Sequence, residues 1–240
     1  IVDLSALVNV VKVNSASGKY PVISKSDAVM VSTEELAKNP ELGKPNITSV
    51  DYSIVTYRGN VAISQEMIDD AAFDIIDKVA EDIKNQELNT KNAAIATVLK
   101  AATPKTAQGF DGLKDILNKE LKPSYDAVLV VTQSMFAALD KVKDKEGNYM
   151  LQTDVTSPTG KSFAGKPIYE VEDKLLGNEG EMKAFIGDIK EFVTLFDRLQ
   201  VTVQWTNNAA YGQLLGSAVR FDVKKVDGDS GFFVTYTDAA

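Results

Sequence analysis

The sequence predicts an α+β fold, and three observations carry that prediction. An extended excursion near the start is too long to belong to a small core. One long amphipathic helix follows it. From about residue 110 onward, short helices and short strands alternate.

The excursion comes first. Residues 8–13 (VNVVKV) and 20–23 are apolar and β-branched, separated by the turn-rich stretch 14–18. A second extended arm over residues 46–60 alternates in part, through Ile47, Val50, Tyr52, Ile54 and Val55, and Tyr57. Between the arms lies the polar segment 33–45 (TEELAKNPELGKP), punctuated by Pro40, Gly43 and Pro45. Two strands with a long polar tip read as an elongated, hairpin-like arm. About fifteen strand residues span on the order of 50 Å, too far to fold back on a small core.

In the helix, Ser64 stands where an N-cap belongs. Glu66, Asp69 and Asp70 place negative charge near its start, which suits the helix dipole. Ile68, Ala72, Ile75, Ile76, Val79 and Ile83 recur on one face. The pattern runs to about Asn89, roughly 26 residues or about 39 Å. It continues more weakly through residues 95–99, until Thr103-Pro104 stops it.

Beyond Phe110, residues 112–121 read as a helix with a stripe of Leu113, Ile116, Leu117 and Leu121. Residues 127–132 (AVLVVT) form a continuous apolar strand of the kind buried on both faces. A helix over 134–143 is capped by Thr132 or Ser134, and 144–148 turn. Extended structure resumes at 149–151. Residues 160–165 lead into a strand at 167–171, and 184–187 and 192–196 are short apolar strands. Residues 201–205 and 219–226 alternate, 213–219 are amphipathic, and 232–236 form a final β-rich run. Gly228 and Gly231 read as hairpin-turn glycines between the last two strands. No fixed-period repeat argues for a solenoid or propeller.

The composition removes several function classes. The chain of 240 residues has neither Cys nor His. Thiol catalysis, disulfides and zinc sites of nitrogen and sulfur are therefore excluded, along with the commonest general base. The net charge is -8, and only Arg58, Arg198 and Arg220 supply guanidinium. That balance disfavours gripping nucleic acid through its phosphates, though not surrounding it. No apolar run approaches the roughly twenty residues of a membrane span. The chain begins at Ile1 without the regions of a signal peptide, so a processed N-terminus or a missing upstream segment is expected.

The conspicuous polar constellations have plain structural readings. Asp69 and Asp70 point to different sides of a helix and make a poor catalytic dyad. Glu34 and Glu35 are solvated in the arm tip. Residues 222–229 lack the twelfth-position Glu of an EF-hand. Asn148, Asn207 and Asn208 serve loop geometry. Ser64 has no activating His, and Lys78 and Lys84 are exposed helix partners among acids. No catalytic, cofactor or metal residue is predicted. Trp205, Phe221, Phe232, Phe233 and Tyr236 concentrate aromatic mass near the C-terminus, with Trp205 a possible interface anchor.

The order of these segments resembles the tailed-phage major capsid proteins of the Hong Kong 97 type. The phrase Ile63, Ser64, Glu66, Met67, Ile68 and Asp70 resembles the family's junction between extended loop and spine helix. The strand at 125–132 precedes Leu139, Val142, Lys143, Asp144, Gly147 and Tyr149, which match the next motif. Residues 165–168 look like its G-x-P-V strand, Ile186-Gly187-Asp188 with Asp197-Arg198 its GD…DR signature, and Arg220-Phe221-Asp222 its closing R-x-D strand. The resemblance covers roughly residues 17–236.

It implies an arm remnant at 1–14, an extended loop at 15–60, a peripheral domain at 61–103 and 193–225, and an axial domain at 104–192 and 226–240. It also implies a non-enzymatic shell protein without cofactor, forming hexameric and pentameric capsomers around double-stranded DNA in a virion assembled in the host bacterial cytoplasm. Scaffolding, portal and decoration proteins are its further expected partners, and no membrane is involved. Candidate intersubunit contacts are Glu34, Glu35, Arg58, Arg198 and Trp205. Some members crosslink a loop Lys to a neighbour's Asn. Lys25, Lys38 and Lys44 lie in the arm and Asn207 and Asn208 near a plausible partner loop, but no catalytic Glu matches, so no crosslink is expected. An encapsulin-type compartment is the nearest rival, although no cargo-docking patch is evident. A monomeric surface or adhesion module and a carboxylate-dependent enzyme are more distant ones.

Overall fold

The computed structural model describes residues 2–23, 29–30, 32, 47–70, 75–153, 159–199, 204–208 and 212–238. After a 3-10 turn at Leu4–Ala6 come β1 (Asn9–Lys12), β2 (Ser17–Ile23), β3 (Ile47–Ser53) and β4 (Val55–Ile63). The helices α1 (Gln65–Asp70) and α2 (Ile75–Lys100) follow, then β5 (Thr103–Gln108), α3 (Gly109–Asp115) and one π-helical turn, Ile116–Glu120. The middle of the chain adds β6 (Val128–Thr132), α4 (Gln133–Lys141), β7 (Gln152–Thr153), β8 (Lys161–Phe163), β9 (Lys166–Val171) and α5 (Asp173–Leu176). The last elements are β10 (Lys183–Gly187), α6 (Ile189–Phe192), β11 (Val193–Leu199), β12 (Gln204–Asn208), β13 (Gly212–Lys225) and β14 (Gly231–Thr237).

These strands make two sheets and a separate ribbon. The larger sheet has seven strands in the order β5-β14-β10-β6-β9-β8-β7. The smaller has five, β1-β11-β13-β12 with β4 along the other side of β13. The ribbon is β2 paired antiparallel with β3, from Ser17 opposite Ser53 to Ile23 opposite Ile47.

Two cores sit either side of the larger sheet. On β6, Leu129 and Val131 face one core, with Met135 and Leu139 of α4 and Leu113 of α3. Val130 faces the other, with Ile95, Ala96 and Leu99 of α2 and with Val219, Phe221 and Val223 of β13. On β10, Ala184 and Ile186 join the first core and Phe185 the second. The expected strand buried on both faces is thus found, and its alternation decides which residue feeds which core. Ile95 and Leu99 are fully enclosed; each contributes about 2 kcal/mol of burial. The end of α2 is therefore wedged between the two sheets.

Local chemistry explains several boundaries. The Ser64 hydroxyl accepts from the Met67 N–H at 3.2 Å, the expected cap of α1. Thr132, rather than Ser134, caps α4 by accepting from Met135 N–H. The Ser134 hydroxyl and N–H instead donate to Asp173 of α5. Asp144 closes the expected turn by accepting from the N–H groups of Glu146 and Asn148, both at 2.9 Å. Those bonds from Asn148, chiefly, hold its carboxyl below the usual carboxylate range.

Other expectations are corrected. Residues 9–12 are not part of the arm: β1 pairs parallel with β11 in the smaller sheet. The second arm is not continuous either. It breaks at Ile54, with β3 in the ribbon and β4 turned onto β13. Among the described residues the paired ribbon is seven residues long, or roughly 20 Å; the rest of the expected arm, 24–28 and 33–46, lies outside them. The 26-residue helix α2 runs over Ile75–Lys100, so the weaker continuation through 95–99 is helical, and its buried Asn92, Ile95, Ala96 and Leu99 fasten its last turns to the core. Thr103-Pro104 stops the helix but starts β5, an edge strand where proline is tolerated. The amphipathic run 213–219 and the alternating run 219–226 join in one strand, β13.

The turn at 227–230 is no hairpin, because β13 and β14 belong to different sheets. Gly231 is needed there since a Cβ would strike the Phe185 ring. Gly187, at φ +154°, faces the same crossing, and its Cβ would strike the Ser230–Gly231 backbone. The GD motif is therefore a packing device. Its Asp188 caps α6 through Glu191 N–H and also accepts from Asp126 N–H at 3.1 Å.

Candidate assembly surfaces

The smaller sheet has an inner face and an outer face. Cross-strand register puts Val55 opposite Phe221, Tyr57 opposite Val219 and Val61 opposite Leu215; Val219 and Phe221 pack with α2 in the second core, while Val55 and Tyr57 on the same face stay 49% and 39% exposed. The alternate pairs are Thr56 with Arg220, Arg58 with Ala218, and Asn60 with Gly216. Successive residues on a strand point to opposite sides, so all six share the outer face.

One end of that face is covered by the root of the chain's own arm. Phe196, opposite Asp222 in β11–β13 register, is fully enclosed. Tyr52 stacks on it at 4.6 Å between ring centroids, and Tyr20 meets it edge-on at 5.4 Å. The Ser53 N–H, where β3 gives way to β4, donates to Asp222 at 2.8 Å. The Ser15 and Tyr52 hydroxyls are 2.7 Å apart. Aromatic contacts and a charged acceptor together hold the ribbon at one orientation. The far end of the ribbon differs: Ile23 and Ile47 are 65% and 61% exposed, and Val29 and Met30 86% and 78%. Apolar side chains left this open mark an interaction surface.

The other end of the outer face is uncovered. Thr56, Arg58, Asn60, Gly216, Ala218 and Arg220 line a hollow of about 670 Å³ there. Arg58 is exposed, and neither it nor Arg220 makes an ion pair among the described residues. The Arg220 Nε is buried without a hydrogen-bond partner.

The candidates named from the sequence are distributed unevenly over these surfaces. Arg58 lies on the open outer face. Arg198 is half-buried on β11, at the register shift between Asp197 and Leu199, away from the hollow's lining. Trp205 occupies β12 opposite Leu215 by backbone register; its side chain lies outside the described residues. Glu34, Glu35, Lys25, Lys38 and Lys44 also lie outside the described residues. Asn207 and Asn208 end β12, opposite Gln213 and Gly212. Reading the sequence alone missed Tyr20, Tyr52 and Phe196 as the arm's clamp, and Asp222 as its polar latch. Alternation along 218–222 was a usable signal for Arg220 and Asp222 sharing a face. Which strand lies opposite was not.

Elsewhere, burial and then the hydrogen bond to Asp227 push the Tyr125 hydroxyl far above its ordinary range. It is a buried donor rather than an acid–base group. No helix is long and apolar enough to cross a membrane among the described residues.

Comparison with known proteins bears on the whole chain. Residues 2–229 match the sequence profile of the phage capsid family. Among solved structures, the capsid of a native GTA particle computed with C5 symmetry superimposes with a TM-score of 0.77 at 19% identity, covering 99% of this chain and 90% of that one. A structure from Microbacterium phage Oxtober96 gives 0.72 at 14% identity, over 97% and 90% of the two chains. The mature capsid of bacteriophage PhiM1 gives 0.65 at 12%, over 96% and 86%. A search of curated proteins finds no match. The superpositions establish the fold, and the profile match over nearly all of the sequence establishes the kinship: the chain belongs to the phage capsid family.

Proposed function

We propose that this chain, as the major capsid protein of a tailed-phage head, assembles without catalysis into hexameric and pentameric capsomers of an icosahedral shell around double-stranded DNA. The observation that carries the reading is the asymmetry of the arm. Its root is clamped on its own sheet, while its far end leaves Ile23, Val29, Met30 and Ile47 in solvent. A pre-set arm with an uncovered apolar end is suited to a neighbouring copy, since little ordering entropy remains to be lost on contact. Repetition of one arm-to-neighbour contact is heterologous and closes into rings, which a shell requires.

On this reading the spine helix with the smaller sheet (61–103 and 193–225) forms a peripheral domain. Residues 104–192 and 226–240 form an axial domain, 15–60 the extended loop and 1–14 an arm remnant. Arg58, Arg198, Trp205, Glu34 and Glu35 are its intersubunit candidates. Assembly takes place in the host bacterial cytoplasm, with scaffolding, portal and decoration proteins as further partners. The negative balance of 26 basic against 34 acidic residues suits an inner wall that does not hold packed DNA tightly. The shell is held noncovalently.

Electron microscopy of the purified protein tests the reading. Shells or capsomers enclosing DNA are expected, and isolated monomers under all assembly conditions contradict it. Boiling the particles in detergent should give single-chain bands; covalent ladders contradict noncovalent assembly.

A further inference from the structure

We propose that strand β4 pairs edge to edge and antiparallel with β4 of a second copy, about a two-fold axis at Gly59. This inference rests on the shell-forming function and deepens it. One heterologous arm contact closes rings, and a shell needs a further contact to join one ring to the next.

The edge comes first. The register sets β4 opposite residues 213–221 of β13, overlapping the spans that β12 and β11 take. β4 therefore lies on the other side of β13, and its second edge has no partner strand among the described residues. A row of unpaired N–H and C=O groups is a template for another strand. The other sheet edges are short or guarded. β1 has four residues and ends in Lys12, β12 has five residues and β7 two, and β5 carries Pro104 and Lys105. β4 is nine residues long, contains neither Pro nor Lys, and keeps one unbroken register with β13.

Self-complementarity selects the partner. Pairing centred on Gly59 sets Val55 opposite Ile63, and Tyr57 opposite Val61, of the second copy on the inner face. On the outer face it sets Thr56 opposite Ala62 and Arg58 opposite Asn60. Apolar side chains meet on the inner face and no like charges are directly opposed on the outer one, as cross-strand pairing favours. Gly59 meets its own counterpart on the axis, where a Cβ would have nothing within 4 Å.

The underside agrees. α2 packs chiefly below β13 and β11. That leaves a hollow of about 500 Å³ below β4, between Tyr57, Val61 and the helix residues Ile83, Gln86 and Thr90. The pairing sets the two β13 strands three strand spacings apart, roughly 14 Å, beyond the about 8–10 Å at which helices pack. The two α2 helices therefore flank a shared channel, which the half-exposed Val55 and Tyr57 of both copies fill.

The absence of cysteine makes a direct test clean. Directly opposite residues lie about 4.5–5.5 Å apart between Cα atoms, within disulfide reach. Gly59→Cys particles, oxidised and run on a nonreducing gel, should give disulfide dimers and no larger species. Thr56→Cys and Ala62→Cys chains should link only when mixed. Particles of these variants without dimers overturn the proposal and leave the capsid function standing. A wild-type chain that forms no particles overturns both.

Charge provides the second arm of the test. Gly59→Lys sets two ammonium groups opposite each other at the axis. Closed shells should fall about tenfold while free capsomers persist and the unfolding midpoint does not fall. Mixing Gly59→Lys with Gly59→Glu chains should restore shells to within about threefold of wild type. Failure of that rescue, or loss of capsomers together with shells, overturns the proposal.

Discussion

The two sheets bury their strands differently. In the larger sheet, β6 and β10 are enclosed on both faces, with α3 and α4 on one side and α2 on the other. In the smaller sheet, β13 packs on α2 with one face, β4 leaves Val55 and Tyr57 partly exposed, and the opposite face is covered by the arm root for part of its length. The first arrangement is complete within one chain. The second is incomplete, most of all on its outer face. The difference teaches where folding ends and assembly begins: substitutions in the larger sheet should act on stability, and those on the open face on association.

Breaking the enclosed sheet should have the largest effect. Phe185 contributes its ring to the core shared by both sheets and packs on Phe192 at 5.0 Å. Phe185→Ala should cost about 4 kcal/mol, read as a shift in the urea midpoint with loss of soluble chain. A smaller but pH-dependent loss is expected at Asp173. Partial burial opposes its ionisation, but hydrogen bonds from Ser134 and Gly180 outweigh that and hold its carboxyl below the usual range. The folded value is depressed, so its stabilisation is present above the ordinary carboxylate range and lost as pH falls through the lowered value. Asp173→Asn should therefore cost about 2 kcal/mol at neutral pH. The deficit should shrink in acid, which denaturation curves across pH would reveal.

On the open face the balance should invert. Tyr52→Ala removes the ring stacked on Phe196 and should cost about 1 kcal/mol of stability. Its effect on particle yield should be far larger, because the arm loses its fixed orientation. Parallel denaturation and light-scattering measurements would separate the two. Arg58→Glu should change stability by less than about 0.5 kcal/mol, the smallest folding effect of the four. Equal losses of stability and assembly at Tyr52 and Arg58 would dissolve the distinction between the sheets.

Much of this division was legible in the sequence, for physical reasons that differ by element. The run at 127–132 announced a doubly covered strand because no polar residue interrupts it before Thr132. The Ser64 cap and the amphipathic stripe announced the long helix. What stayed hidden was pairing. Residues 8–13 and 20–23 have the same β-branched composition, yet β1 joins β11 and β2 joins the ribbon, because partner choice depends on where distant strands lie. The break at Ile54 was also invisible, since the Asp222 carboxylate that accepts from Ser53 N–H there lies far along the chain. For the assembly surfaces, charge made Arg58 conspicuous. Its companion Arg220 and the Phe196 clamp emerged only once cross-strand register set them on one face.

The central claim is that the open outer face and the arm's exposed end are completed by neighbouring copies. Hydroxyl-radical footprinting of assembled particles against the dissociated chain tests it most directly. Assembly should shield Leu214, which also lines the hollow on the outer face, and Ile23, Met30 and Ile47 of the arm, while the enclosed Phe185 and Val130 react equally little in both states. Particles in which those four side chains remain as reactive as in the dissociated chain would contradict it.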